Sequence, residues 1–264
     1  MTDQEYFALD AVSASFLRDC ATSTLAHAFY ARSNPSKSAA KNLGSALHCY
    51  RLEREQFNVR YVCQPPDLDG RTKEGKAWKA NAGERQIVTW DDFNLIKGMD
   101  EALLAHPVAG KLLTSVGENE KCIVWDDGKK KAKLDRVTPE GIIDLKTCQD
   151  ASKDGFETAC LGRYRRDKRS YRYDIQAAWY LRAAHAQYGP GTIRFLFVCV
   201  ESAPPHPVAV YELDEAAIEN ADEEIDLLLP KIEAAKQSGI WPAYSDKVET
   251  LYMPAWMGNS YEVD

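Results

Sequence analysis

Three charged residues in the middle of the chain have the types and spacing of a metal-assisted hydrolytic site. Asp144 and Lys146 are separated by one residue, and Asp135 lies nine positions before Asp144. Side chains two positions apart in a β-strand point to the same face, so the Asp144 carboxylate and the Lys146 ammonium would emerge together. A hairpin would bring Asp135 beside them. Two carboxylates could then hold a divalent metal while the lysine positions or deprotonates a water.

An ion pair on a solvated strand would show the same Asp-x-Lys pattern, which is a common tripeptide. The neighbouring residues favour a functional site instead. Residues 141–143 and Leu145 are apolar or small on both faces of the predicted strand, which is typical of a buried strand. Unpaired charge is costly there, so charges gathered at such a strand indicate function.

The segments around these residues predict a sheet covered by helices. The predicted helices cover residues 13–30, 42–57, 91–105, 171–187 and 215–237, and the predicted strands cover residues 60–63, 121–125, 132–137, 141–145, 192–200 and 208–213. Residues 138–140 read as a hairpin turn, and residues 59–86 are otherwise polar and rich in turn formers. This order indicates an α/β or α+β fold with a central mixed β-sheet flanked by helices.

Composition limits the classes of protein to consider. The chain has 264 residues, of which 45% are hydrophobic, enough to bury one large core or two small ones. Its seven cysteines include no CxxC pair, which favours free thiols in a reducing cytosol over disulfides or zinc. No apolar run approaches the roughly 20 residues that cross a bilayer, so we expect a cytoplasmic protein without a membrane partner. Because no GxxxxGK[ST] loop occurs, we expect no nucleotide cofactor.

Charge is distributed unevenly along the chain. The net charge of −7 argues against a polyanionic partner. Residues 129–172, however, hold 13 Lys+Arg against 7 Asp+Glu, and residues 201–264 hold 3 Lys against 14 acids. The densest basic run could be only a solvated loop, but its place beside the site favours phosphate contact. Its basic residues are Arg163, Arg165, Arg166, Lys168, Arg169 and Arg172.

Three ordered motifs resemble a known family. Leu134-Asp135-Arg136 followed by Ile143-Asp144-Leu145-Lys146-Thr147 resembles the PD-(D/E)xK motif of RecB-like nucleases, with Leu134 in place of the proline and Asp144 where many relatives have Glu. Residues 44–48 resemble the upstream Gly-x-x-x-His helix, and residues 176–180 resemble the downstream Gln-x-x-x-Tyr helix. Together with Glu120 before the strand that ends at Trp125, the set is similar to the RecE-type phage exonucleases.

The resemblance implies a restriction-endonuclease-like core and a role for each matched residue. His48, Asp135, Asp144 and the Leu145 carbonyl would bind Mg²⁺, with Mn²⁺ as a substitute. Lys146 would orient or activate the attacking water and help to neutralise the phosphate. Glu120, preferred to Glu118 because of its spacing to Trp125, would lie near a second metal. Gln176 and Tyr180 would contact DNA or brace Lys146, and Arg18 would contact a 5′-phosphate.

The implied protein is a single nuclease domain over residues 1–264. Residues 1–110 would be mainly helical, residues 111–213 would form the catalytic core, and residues 214–264 would form an acidic helix and tail. It would degrade linear double-stranded DNA from the 5′ end and leave 3′ single strands for a RecT-type annealing protein. A ring of three or four copies and a phage or prophage origin in a bacterial host are also implied.

Three alternatives stay open at this point. The chain could be another PD-(D/E)xK endonuclease or a Cas4-like DNA-processing nuclease, although its cysteines show no grouping for an iron–sulfur cluster. It could also be a non-catalytic DNA-binding partner in recombination, which the intact set of Asp135, Asp144 and Lys146 disfavours.

Overall fold

The computed structural model describes residues 1–34, 39–161 and 171–253. Its strands are β1 (Tyr61–Cys63), β2 (Gln86–Val88), β3 (Glu118–Trp125), β4 (Lys130–Thr138), β5 (Gly141–Cys148), β6 (Phe195–Glu201) and β7 (Val208–Glu212). Strands β3 to β7 form one sheet in that spatial order, and β1 and β2 form a small parallel sheet. Strands β5 and β6 are parallel, whereas the other neighbours in the large sheet are antiparallel. The predicted central mixed sheet is confirmed.

Helices cover both faces of the large sheet. In the described part of the chain they are α1 (Asp3–Ala8), α2 (Ala14–Thr22), α3 (Leu25–Ser33), α4 (Ala39–Leu52), α5 (Arg54–Arg60), α6 (Lys73–Asn81), α7 (Trp90–Ala105), α8 (Pro107–Thr114), α9 (Lys153–Leu161), α10 (Tyr173–Tyr188) and α11 (Glu215–Ser238). Helices α2, α10 and α11 pack on the face that holds Ile142 of β5. Helices α4, α7 and α8 pack on the face that holds Ile143. Successive residues of β5 thus enter opposite cores, as the period of a strand requires.

Two predicted helices are each divided in the structure. The helix predicted over residues 13–30 becomes α2 and α3, because the Thr24 side chain accepts a hydrogen bond from the His27 N–H at 3.3 Å and starts a new helix. The helix predicted over residues 42–57 becomes α4 and α5, with Glu53 between them. Helix α6 lies in the segment that was expected to be turns, so that expectation was wrong for residues 73–81.

The segment after α11 returns to the α2–α3 pair. The Trp241 ring stacks on Phe29 with 4.2 Å between ring centroids, and the Tyr244 ring meets His27 at 5.9 Å. The seven cysteines are free thiols, as predicted. Within the described residues, no helix combines the length and the apolar character that crossing a membrane requires.

Candidate active site

The β4–β5 hairpin opens at a pair of acidic residues. The last paired positions are Arg136 and Ile143, so Asp135 and Asp144 lie where the two strands begin to separate. The Asp135 Oδ2 atom accepts a hydrogen bond from the Leu145 N–H at 2.8 Å. A side chain therefore takes the place of a strand-to-strand backbone bond, and it ties the Asp135 carboxylate to the backbone of β5.

Asp144, Lys146, Gln176 and Arg18 form a group that we call the anchor cluster. Asp144 is fully buried, and its Oδ1 atom accepts a hydrogen bond from the Gln176 amide at 2.6 Å. The Gln176 carbonyl oxygen accepts a hydrogen bond from Arg18 at 3.0 Å. Because this contact occupies the carbonyl side of the amide, the NH₂ side must face Asp144. The Lys146 ammonium contacts the other oxygen of Asp144.

An aromatic ring supports the two cations of the anchor cluster. The Lys146 Nζ atom lies 4.7 Å from the centroid of the Tyr173 ring, and the guanidinium carbon of Arg18 lies 5.0 Å from the same centroid. Cation–π attraction favours both contacts. Burial alone would lower the pKa of Lys146, but Asp144 and Asp135 raise it above its ordinary value. Lys146 is therefore held as an ammonium in the protein without a bound metal.

His48 of α4, Glu120 of β3 and Asp135 of β4 form a second group, which we call the metal triad. Their candidate ligand atoms all lie within 4.8 Å of one another, and they are the one such group that the described residues contain. The His48 Nδ1 atom is 3.5 Å from Asp135 Oδ2. One imidazole and two carboxylates suit a divalent cation such as Mg²⁺ or Mn²⁺, so the donor set fits the metal that the fold implies.

The electrostatics of the metal triad also fit a cation. Burial, followed by the nearby Asp144 carboxylate, raises the pKa of Asp135. Burial and Asp135 likewise raise the pKa of Glu120. Burial and Lys146 lower the pKa of His48, which favours the neutral imidazole with a free lone pair. The two carboxylates therefore resist being charged together, and a bound cation would relieve that cost.

The structure groups the predicted ligands differently from the expectation. Asp144 is not part of the metal triad, since Gln176 and Lys146 engage its two oxygens. The Leu145 backbone reaches the site through its N–H, which donates to Asp135. Glu120 is in the triad.

Three further predicted positions have distinct surroundings. Glu118 is exposed and pairs with Lys121 at 2.6 Å, away from the metal triad. Tyr180 is partly buried one turn after Gln176, and burial, with Asp135 and Asp144, raises the pKa of its phenol. Arg163, Arg165, Arg166, Lys168 and Arg169 lie outside the described residues.

Arg172 requires a correction. Its guanidinium donates to Asp174 at 2.9 Å and to Glu224 at 2.6 Å, and only 2% of the residue is exposed. A guanidinium so buried cannot reach a phosphate in solvent, so the expectation that Arg172 contacts DNA was wrong. Arg172 instead ties the start of α10, which carries Gln176, to α11.

Sequence reasoning missed two residues at the site. Tyr173 lies three positions before Gln176 on α10, a spacing that puts both side chains on one helical face and could have identified it. Lys133 lies two positions before Asp135 on β4, and its Nζ atom is 2.8 Å from Glu120 Oε2. The same-face period of a strand could have identified Lys133 as a neighbour of the site.

Comparisons with known proteins identify the family of the chain. Residues 13–254 match the family described as a PDDEXK-like domain of unknown function (DUF3799). A search of curated proteins found no significant match.

One solved structure shares the fold over the whole chain. The crystal structure of a candidate exonuclease from Eubacterium rectale superposes with a TM-score of 0.68 at 15% identity, covering 100% of this chain and 99% of that one. An alkaline exonuclease from Laribacter hongkongensis matches with a TM-score of 0.35 at 18% identity, covering 89% of this chain and 95% of that one. The family match spans most of the chain, and the chain therefore belongs to the PDDEXK-like DUF3799 family.

Proposed function

We propose that this chain is a metal-dependent exodeoxyribonuclease of linear double-stranded DNA. The observation that carries the proposal is the opening of the β4–β5 hairpin, which places the anchor cluster and the metal triad on either side of the Asp135–Leu145 hydrogen bond. Family membership and the fold shared with an exonuclease candidate support a nuclease. By the resemblance to RecB-like nucleases, Asp144 and Lys146 would supply the acidic and basic positions for phosphodiester hydrolysis.

The chain's own residues would perform distinct parts of the reaction. Lys146 would donate hydrogen bonds to the attacking water or to a phosphate oxygen and would offset the growing negative charge. Asp144, held by Gln176, would fix the position of the Lys146 ammonium. His48, Glu120 and Asp135 would hold Mg²⁺ or Mn²⁺, which would supply Lewis-acid stabilisation of the phosphate.

The proposal also covers the direction of digestion, the DNA contacts and the partner proteins. The resemblance to RecE-type exonucleases supports digestion from the 5′ end, with 3′ single strands passed to a RecT-type annealing protein. Phosphate contacts would come from the basic run at residues 163–169, since backbone contacts supply affinity that is independent of sequence. Arg18, which lies between Tyr173 and Gln176, would face a 5′-phosphate. A ring of three or four copies in a bacterial cytoplasm completes the proposal.

The test uses the purified chain and duplexes labelled separately at each 5′ and each 3′ end. With Mg²⁺ or Mn²⁺, we expect a linear duplex to lose 5′-terminal nucleotides while a covalently closed circle stays intact, and we expect EDTA to stop digestion. Cleavage of the circle would identify an endonuclease instead. No cleavage with any divalent metal, combined with DNA binding, would identify a non-catalytic partner. Light scattering would report whether three or four copies assemble.

A further inference from the structure

One face of β4 leads from the N-terminal segment to the metal triad. Lys131, Lys133 and Asp135 alternate along the strand, so their side chains share that face. Residues 3–12, which we call the N-terminal strap, run beside it. The Lys131 Nζ atom donates to the carbonyls of Tyr6 at 2.9 Å and Leu9 at 2.8 Å.

The far end of the strap is fixed to the same strand. Val12 exchanges backbone hydrogen bonds of 2.8 and 2.9 Å with Lys129 and Lys131. Lys131 is 6% exposed. The strap is therefore attached to β4 by buried contacts over several residues.

Asp3 connects the strap to the metal triad through Lys133. The Lys133 Nζ atom lies 2.6 Å from Asp3 Oδ1 and 2.8 Å from Glu120 Oε2. The side chains of Lys133 and Glu120 are 15% and 17% exposed, so solvent screens this contact weakly. The other oxygen of Asp3 lies 3.2 Å from Arg60.

The role of Asp3 follows from competition for the Glu120 carboxylate. Lys133 and a divalent cation are both positive, and both would bind Glu120. With Asp3 present, Lys133 is shared between two carboxylates. Without the Asp3 charge, Lys133 would have Glu120 as its remaining anionic partner in this contact, and it would hold that carboxylate more tightly.

We propose that Asp3 is a positioning residue of the metal triad, which acts through Lys133 to keep a Glu120 oxygen available to a divalent cation. The N-terminal strap is then part of the active site although it contributes no ligand. This inference rests on the proposed function, because it concerns the metal of that same site. It adds a residue more than 100 positions away from Asp135 in the sequence.

The test measures Mn²⁺ binding by titration calorimetry, without DNA and without turnover. Asp3→Asn keeps the size of the side chain and removes its charge, and we expect roughly 10-fold weaker Mn²⁺ binding, the lower end of the range for residues that support metal ligands. Asp3→Glu keeps the charge and should bind Mn²⁺ within about 2-fold of the unaltered protein. Asp10→Asn is the matched control, because the exposed Asp10 lies on the same strap and pairs with Arg32 and Lys236 instead.

A double-mutant cycle shows whether Asp3 acts through Lys133. In a Lys133→Gln background, Asp3→Asn should change Mn²⁺ affinity by less than about 2-fold, since the competing ammonium is gone. An equal loss in both backgrounds would overturn the inference, as would an Asp3→Asn affinity that matches Asp10→Asn. Thermal unfolding of the metal-free variants checks the fold, and Asp3→Ser replaces Asp3→Asn if that variant does not fold.

The outcomes separate this inference from the proposed function. If the unaltered protein binds no Mn²⁺ and cleaves no DNA, the proposed function fails. If it binds Mn²⁺ and cleaves DNA while Asp3→Asn does so equally well, the assignment of Asp3 fails and the nuclease stands.

Discussion

The anchor cluster and the metal triad meet at the Asp135–Leu145 hydrogen bond but balance their charges in opposite ways. In the anchor cluster, the buried Asp144 has a lysine on one oxygen and an amide on the other. In the metal triad, two carboxylates with raised pKa values face a neutral imidazole. The charges of the first group are nearly balanced within the protein. In the second group, the Lys133 ammonium that contacts Glu120 is shared with Asp3, so the two carboxylates remain short of positive charge.

This difference separates two tasks that one site must perform. Buried charges that are paired and hydrogen-bonded hold a fixed geometry, because each side chain limits the others. A group of carboxylates that is short of positive charge makes the metal-free protein less stable and creates affinity for a cation. The anchor cluster would therefore set the position of the ammonium, and the metal triad would set the affinity for the metal.

The largest expected effect on catalysis comes from removing the ammonium charge of Lys146. Lys146→Gln keeps a hydrogen-bond donor for Asp144 but removes the cation, so we expect kcat to fall by about 1,000-fold, as for the loss of one preorganised donor. Mn²⁺ affinity should stay within about 3-fold, since Lys146 is not a ligand. Single-turnover cleavage and calorimetry measure the two quantities. Lys130→Gln, on the neighbouring strand, is the control, and a Lys146→Gln enzyme with full activity would remove Lys146 from the mechanism.

Asp135→Asn should weaken metal binding but stabilise the metal-free protein. The change removes a charged ligand, so we expect Mn²⁺ affinity to fall by about 100-fold or more. It also removes repulsion with Asp144 and Glu120, so the metal-free variant should melt about 2–4 °C higher, the shift produced by roughly 1 kcal/mol in a domain of this size. Calorimetry and thermal unfolding test both. Asp126→Asn, at an exposed turn, serves as the comparison, and a lower melting temperature for Asp135→Asn would show that the triad is not strained.

Much of the fold could be predicted from the sequence because its signals are local. The short β-like runs at residues 132–137 and 141–145 predicted β4 and β5, and the apolar run at residues 192–200 predicted the buried strand β6. Pro107 shows where a local signal has two meanings. A proline just after a helix indicates its end, and α7 ends two residues before Pro107. The same proline is also the first residue of α8, where its fixed φ suits a helix start. Helix α6 was missed because its residues are mostly polar and exposed, which leaves no apolar period to detect.

The site was only partly predictable, because its grouping depends on contacts between residues that are far apart in the sequence. Motif spacing indicated His48, Glu120, Asp135, Asp144 and Lys146, but it could not divide them between two groups, since that depends on which oxygen each neighbour reaches. The burial of Arg172 depends on Glu224, 52 positions away. Contacts between residues so distant in sequence are set by how helices pack, and the sequence around Arg172 carried no signal of Glu224.

Gln176→Leu tests the hydrogen bond that holds Asp144 in the anchor cluster. The substitution has a similar volume but leaves Asp144 Oδ1 without its donor, which costs about 1–3 kcal/mol of stability. We expect kcat to fall roughly 10-fold to 100-fold, because Asp144 could then turn and carry the Lys146 ammonium with it. Single-turnover rates and urea unfolding provide the measurements. Gln187→Leu, on the exposed part of α10, is the matched control, and equal rates for the two variants would contradict a role for Gln176 in holding Asp144.

Tyr173 gives the smallest expected effect and separates the ring from its hydroxyl. Tyr173→Phe keeps the aromatic face beneath Lys146 and Arg18, so its kcat should stay within about 2-fold of the unaltered enzyme. Tyr173→Leu keeps apolar volume but removes the face, and a cation–π contact of about 1 kcal/mol predicts a loss of roughly 5-fold. Because the ring supports the anchor cluster and not the metal triad, Mn²⁺ affinity should be the same in both variants. A drop in Mn²⁺ affinity that matched the drop in kcat would show that the two groups are not independent.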